Sequence, residues 1–311
     1  MTMDVFGRNR TKKVLIFSLF FSLSASAVAD DDNNDDDSDL KSSYAKLLDL
    51  STVDDVSTSK LRADDGFNYS KIVIPYATDY YPLGGDSSAA WFIKAGFLEV
   101  KGDAIPIDDS RFTPRWHALS IVTGPSFKYR IQERFNLVGK LGIGYSRLIN
   151  DSPYSGDSVI ENALRDEKLL DWEIDAYIIS PSIGIEYKKI FNSGDVFDVY
   201  TNLSFTHVSS FNNNNNDLKI SDNSGSYSIK TDYTFTDVFH AFNRRINFVV
   251  SNKFGGFFGS NYRDLGFGFV NETQMAIEVP TDPFFKGNKM RIGIGYLYND
   301  YAQGVSLVLS L

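Results

Sequence analysis

The chain has 311 residues, 42% hydrophobic and 14% aromatic, with no cysteine and a formal charge of −9. The acidic balance excludes a nucleic-acid binder, which needs basic patches to meet phosphates. Beyond residue 29 no stretch approaches the ~20 consecutive apolar residues that a spanning helix requires, so any membrane crossing has to be made by strands.

Residues 1–29 carry Arg8, Arg10, Lys12 and Lys13, then an apolar run over 14–23, then Ala27, Val28 and Ala29. Charge, apolar core and small residues in that order predict a secretory signal cleaved after about Ala29. The apolar run is too short to cross a bilayer as a helix. Cleavage takes away four cations and one acid (Asp4), which leaves −12. Residues 30–39 are Asp, Asn and Ser only. Like charges at that density repel, and the segment reads as a disordered acidic leader.

Residues 40–66 change character. Leu40, Tyr44, Leu47 and Leu48 recur near helical spacing, which predicts an amphipathic helix over 40–62 that plugs a barrel lumen or lies free in the periplasm, or else a poorly patterned first strand.

From residue 67 the period becomes two. In 117–131 His117, Leu119, Ile121, Phe127, Tyr129 and Ile131 share one face, and Ser120, Gly124, Ser126, Lys128 and Arg130 the other. The next strand sets Phe135, Leu137, Leu141, Ile143 and Tyr145 against Asn136, Lys140, Gly142, Gly144 and Ser146. In 172–178 the even positions Trp172, Ile174, Ala176 and Ile178 are apolar, and from Ile179 the odd positions are. One extra residue would restore the facing, which predicts a β-bulge at Ile178–Ile179 and an inward Glu173. Strands 245–258, 265–279 and 290–298 alternate likewise, and 304–311 closes the chain with Val305, Leu307, Leu309 and Leu311 on one face.

Alternation alone also fits half of a soluble sandwich. Here the opposite faces mix glycine with charge, as a narrow lumen filled by ion pairs does, while the apolar faces suit lipid. The fold class is therefore all-β, a closed antiparallel transmembrane β-barrel over 67–311. Eleven strands are readable, and a closed single-chain bacterial barrel has an even number. A twelfth is expected in 40–66, with ten strands the alternative. Short turns fall near 132–134, 191–196, 239–244 and 280–288, on the periplasmic side. Longer external loops fall near 150–169, 211–225, 259–263 and 299–303. Lys128, Arg130, Lys140, Lys188, Arg245, Lys253 and Arg291, with Glu173, Glu186, Glu272 and Glu278, are expected to line and cross-link the lumen.

A signal, an acidic leader, a short helix candidate and about twelve strands resemble an autotransporter translocator without a sizeable passenger, the organisation of the solitary outer-membrane autotransporter-like β-barrel group. The resemblance covers roughly residues 40–311. It implies a bacterial outer-membrane barrel with a structural or narrow-pore role, embedded in outer-membrane lipid and lipopolysaccharide. It also implies a C-terminal strand, 304–311, that the barrel-assembly machinery reads. The family's barrels usually end in an aromatic residue, and this chain has Leu311 there.

One pair suggests chemistry. His207 and Ser209 are two apart and share a strand face with Val199, Leu203 and Phe205. The pair is similar to the His-x-Ser-Asn motif of outer-membrane phospholipase A and of lipid A deacylases, which implies a histidine base and a serine nucleophile for acyl transfer. Ser210 stands where those families have Asn, and Asp217, Asp222 and Asn223 are the nearby groups that could orient the base. This lipid acyl hydrolase is the alternative to a non-enzymatic barrel. No metal-ligand spacing and no nucleotide loop occur, so no cofactor and no metal are expected.

Overall fold

In the computed structural model, the structure describes residues 57–63, 66–213, 219–241, 244–258, 269–280, 289–299 and 301–310. The expected signal, the acidic leader and all of 40–56 lie outside the described residues.

The period-two pattern is realised as strands: β1 (Ser57–Ala63), β2 (Asn68–Ala77), β3 (Tyr81–Gly84), β4 (Ser87–Lys101), β5 (Ile105–Ile107), β6 (Ser110–Phe112), β7 (Arg115–Gln132), β8 (Phe135–Asn150) and β9 (Tyr154–Ser155). One helix follows, α1 (Ser158–Asp166). Then come β10 (Trp172–Ile190), β11 (Val196–Asn213), β12 (Ser221–Ala241), β13 (Arg244–Phe258), β14 (Phe269–Pro280), β15 (Lys289–Tyr298) and β16 (Ala302–Ser310). Twelve of them form one antiparallel ring, β1-β2-β4-β7-β8-β10-β11-β12-β13-β14-β15-β16. The ring closes because β1 pairs back onto β16, from Ser57↔Val308 to Ala63↔Ala302. Closure removes both sheet edges and satisfies the backbone inside hydrocarbon. Residues 57–63 are thus the twelfth strand, and 57–62 belong to the wall instead of a helix. The backbone ladder at β1 outweighs the weak helical spacing that reached into it.

The rim that carries both ends of the described chain has the short turns 133–134 and 191–195, together with the β2–β4 connection that holds β3. The opposite rim carries the long connections. Two of these fold together into a cap. Strands β5, β6 and β9 pair into a small sheet, and Leu164 and Ile160 of α1 pack with Phe112, Ile105, Ile107, Tyr154, Leu169 and Leu170. Asp157 caps α1 by accepting the Val159 N–H at 2.7 Å. Gly156 has φ +143°, and a Cβ there would stand 2.0 Å from the Ser110 hydroxyl, so the turn into the helix requires glycine. Asn150 and Trp172 tie the cap to the barrel by donating to the Leu169 and Lys168 carbonyls at 3.0 and 2.7 Å.

The outer wall is apolar. Ile74, Leu119, Phe127, Ile143, Ile183, Phe205, Ile294 and Leu307 are all exposed there. Tyr145 and Tyr177 mark one border of the band and Phe135 and Tyr187 the other, as an aromatic belt does.

The lumen has two layers. Toward the long-loop rim it is filled by one apolar cluster drawn from around the ring: Leu61, Tyr69, Leu98, Val100, Trp116, Leu148, Trp172, Ile174, Ile178, Val208 and Ile220, with neighbours. This corrects two sequence expectations. The interior is not polar throughout, and there is no bulge at Ile178–Ile179. Strand β10 pairs with β8 without interruption from Trp172↔Asn150 to Tyr187↔Phe135. Its even positions face inward from Trp172 to Glu186, so Ile174 and Ile178 are fully buried while Ile179, Ile183 and Ile185 face out. The irregularity lies across the ladder instead, where Asp175 pairs with Asn212 and Ala176 with Ser210, leaving Phe211 as the extra residue.

Candidate functional sites on the inner and outer wall

The second lumen layer is charged and lies toward the short-turn rim. Arg291 on β15 is its centre. Its guanidinium donates to Asp232 at 2.7 Å and to Glu278 at 3.2 Å. Glu278 also accepts from Lys289 at 2.8 Å and from Asn247 at 3.0 Å. Lys230 stands 3.3 Å from Asp232, and Asp198 pairs with Asp232 across the ladder. On the other side, Lys128 meets Glu186 at 2.7 Å and stands 4.1 Å from the ring centroid of Tyr80. Lys140 faces Phe92 at 5.9 Å. Glu272 is buried and accepts from the Ser306 hydroxyl. Lys253 lies between Lys230 and Glu272 in the register.

The remaining sequence candidates sit elsewhere. Lys188 pairs with Asp198 on the ladder but is exposed. Arg130 is exposed close to the short-turn rim. Arg245 is also exposed at that rim, with Nε 3.8 Å from Asp237. Glu173 is a correction: it is on the outer face of β10, bonded to Arg147 of β8. The reason is the apolar inner layer, which puts the greasy even positions of β10 inside and Glu173 outside.

Asp232, Asp198 and Lys230 are not among the lumen residues expected from the sequence. The signal was present, because Lys230, Asp232 and Thr234 alternate with Thr231, Tyr233 and Phe235 in the same period of two.

His207 and Ser209 project from the outer face of β11 near the long-loop border, with the Tyr177 ring tilted against the imidazole, centroids 5.9 Å apart. Nδ1 of His207 bonds Oδ1 of Asn223 at 3.0 Å, on the directly opposed position of β12. The contact orients the imidazole against the amide of Asn223. Asp222 pairs with Val208 on the ladder, and Asp217 lies outside the described residues. No hydrogen bond joins His207 to Ser209 among the described residues, so the hydroxyl lacks the base that a nucleophile needs. The acyl-hydrolase alternative is not favoured. Among the described residues no group of three or more His, Asp or Glu side chains is disposed to hold a metal ion.

Residues 48–311 match the sequence profile of the solitary outer membrane autotransporter β-barrel domain. No curated protein sequence matches the chain. Among solved structures, the translocator domain of the autotransporter NalP from Neisseria meningitidis is similar over 85% of this chain and 91% of that one, at 9% identity and a TM-score of 0.52. The transport unit of AIDA-I from Escherichia coli matches over 88% and 98% at 8% identity and TM-score 0.48. The β domain of the Bordetella autotransporter BrkA matches over 83% and 100% at 8% identity and TM-score 0.48. At such identities the likeness concerns the fold alone.

Proposed function

The chain belongs to the solitary outer membrane autotransporter β-barrel domain family, and from that membership we propose that it is a structural outer-membrane barrel whose mouth is stopped. It is an outer-membrane protein. The observation that carries the structural reading over a pore is the apolar layer. Trp172, Ile174, Ile178, Leu148 and Leu98 are each at most 2% exposed inside the ring. Side chains packed to that degree leave no polar path for an ion. In the same reading residues 1–29 direct export and are removed after about Ala29, and the C-terminal strand engages the assembly machinery. Outer-membrane lipid and lipopolysaccharide cover the wall.

The test is conductance of the folded protein in planar bilayers. The stopped barrel is silent at moderate voltage, and replacing Trp172 and Leu148 together with alanine opens discrete steps. Steady ohmic conductance of the unaltered protein would overturn the reading.

A further inference from the structure

We propose a lipid-binding site on the outer wall over β1, β2, β4 and β7, for a phosphorylated lipid of the outer leaflet. It rests on the outer-membrane reading above and adds a ligand to it.

Two independent features meet there. The first is an apolar groove of about 310 Å³, in the lower range of small-molecule sites, between Ile72 and Ile74 of β2 and Leu119 and Ile121 of β7. Its floor is Ala95 of β4, the small residue in the outward row Trp91, Ile93, Ala95, Phe97. Phe97 walls its upper end, stacked on His117 with ring centroids 6.0 Å apart. A groove cut into a lipid-facing wall is filled by hydrocarbon.

The second feature is the charge directly above it. Outward positions of β1 are Lys60 and Arg62, and the outermost outward residue of β4 is Lys101. In the register Arg62 opposes Asn68, which opposes Lys101. Lys60 opposes Ser70, which opposes Glu99. The cations therefore flank β2 from both sides, Arg62 and Lys101 about 10 Å apart in one row and Lys60 and Lys101 about 12 Å apart on the diagonal at the backbone, with the Asn68 and Ser70 side chains between them. Lys60 and Lys101 are exposed and make no ion pair among the described residues, whereas Arg62 lies 3.8 Å from Asp103. Ile72 follows Ser70 by two residues, so the groove begins about 7 Å below this row.

A phosphate bound by the two lysines thus has its own acyl chain aligned with the groove, and Glu99 accepts from the headgroup's hydroxyl or amide. Neither part selects such a lipid by itself. Lysine ammonium groups also attract free phosphate, and the groove also takes a neutral chain.

The experiment uses the full chain folded in detergent, with folding checked by heat-modifiable migration. Probes are bisphosphorylated lipid A, the same lipid dephosphorylated, and inorganic phosphate, with retention read by native mass spectrometry. The unaltered protein is expected to retain bisphosphorylated lipid A at least ten-fold better than the dephosphorylated form, and to show no retention of phosphate. K60E/K101E lowers retention of the phosphorylated lipid to the level of the dephosphorylated one. A95W, which fills the groove, lowers retention of both. Equal retention of the two lipids, retention of phosphate alone, or indifference to either variant overturns the site. Failure of the outer-membrane reading is separately visible, as absence of the protein from the outer-membrane fraction.

Discussion

Arg291 of β15 and Asp232 of β12 bond at 2.7 Å across two intervening strands, β13 and β14. The contact is therefore a chord of the barrel and not a ladder neighbour, and it cross-links wall segments that the backbone joins only through other strands. Both groups are nearly out of water, with side-chain exposures of 18% and 4%.

Removing Arg291 leaves the buried Asp232 with Lys230 as its remaining cation at 3.3 Å, and breaking a buried pair in this way costs about 3–5 kcal/mol. Arg291→Met is expected to lower unfolding stability in urea by that order. The double variant Arg291→Met with Asp232→Leu should lose clearly less than the sum of the two single losses, because the partners are coupled. Additive losses would show that the chord does not act as a unit.

Closure of the ring depends on Gly304. A Cβ on Gly304 would stand 2.0 Å from the carbonyl oxygen of Lys60, on the neighbouring strand. β1 holds β16 through only seven register pairs, so a local backbone shift affects a large share of the seam. Gly304→Val should reduce the folded, heat-modifiable fraction and lower the midpoint of thermal unfolding, by about 1–3 kcal/mol of overpacking strain. A variant that folds and melts like the parent would refute the tight seam.

The facing of β10 is testable residue by residue. A nitroxide at position 179 should be accessible to oxygen dissolved in the bilayer, and one at 178 should not, because Ile178 is fully buried and Ile179 is 40% exposed. Ile178→Ala should also cost about 2–4 kcal/mol through the cavity it leaves. Equal oxygen access at both positions would restore a bulge between them.

The turn 191–195 contributes a pH dependence. The Thr236 backbone N–H and then the Ser193 hydroxyl donate to Asp195, and they hold its carboxyl below its ordinary value of 3.8. A depressed folded-state value means that the contribution is present above the ordinary carboxyl range and is lost as pH falls through the lowered value. Asp195→Asn should flatten the acid limb of the stability profile below about pH 4. The difference between parent and variant should vanish at still lower pH.

His207 and Ser209 provide a check on chemistry. With Asn223 orienting the imidazole and no bond from His207 to Ser209, Ser209→Ala should leave the fatty-acid content of purified outer membranes unchanged. A fall in released fatty acid in the variant would revive the hydrolase.

Much of the architecture was legible in the chain itself. The faces of β7, β8, β13, β14 and β15 follow from alternation, because a strand in a barrel meets a different solvent on each side and its residues record that difference. The even strand count pointed to a strand before residue 67, and β1 is that strand. Site geometry was less legible. That Asn223 would meet His207 depended on the β11–β12 register, and a one-residue slip would have turned Asn223 to the lumen.

What the sequence determined alone is the pattern of two unlike faces per strand, and so a barrel of about this size. Which face is which was decided by tertiary structure where both solvents are apolar. Ile178 meets packed side chains and Ile179 meets lipid, and a periodicity of two cannot distinguish a dry core from a bilayer. The chord from Arg291 to Asp232 is tertiary for a related reason: local alternation puts both groups in the lumen, but only the curvature of the closed ring brings them into contact.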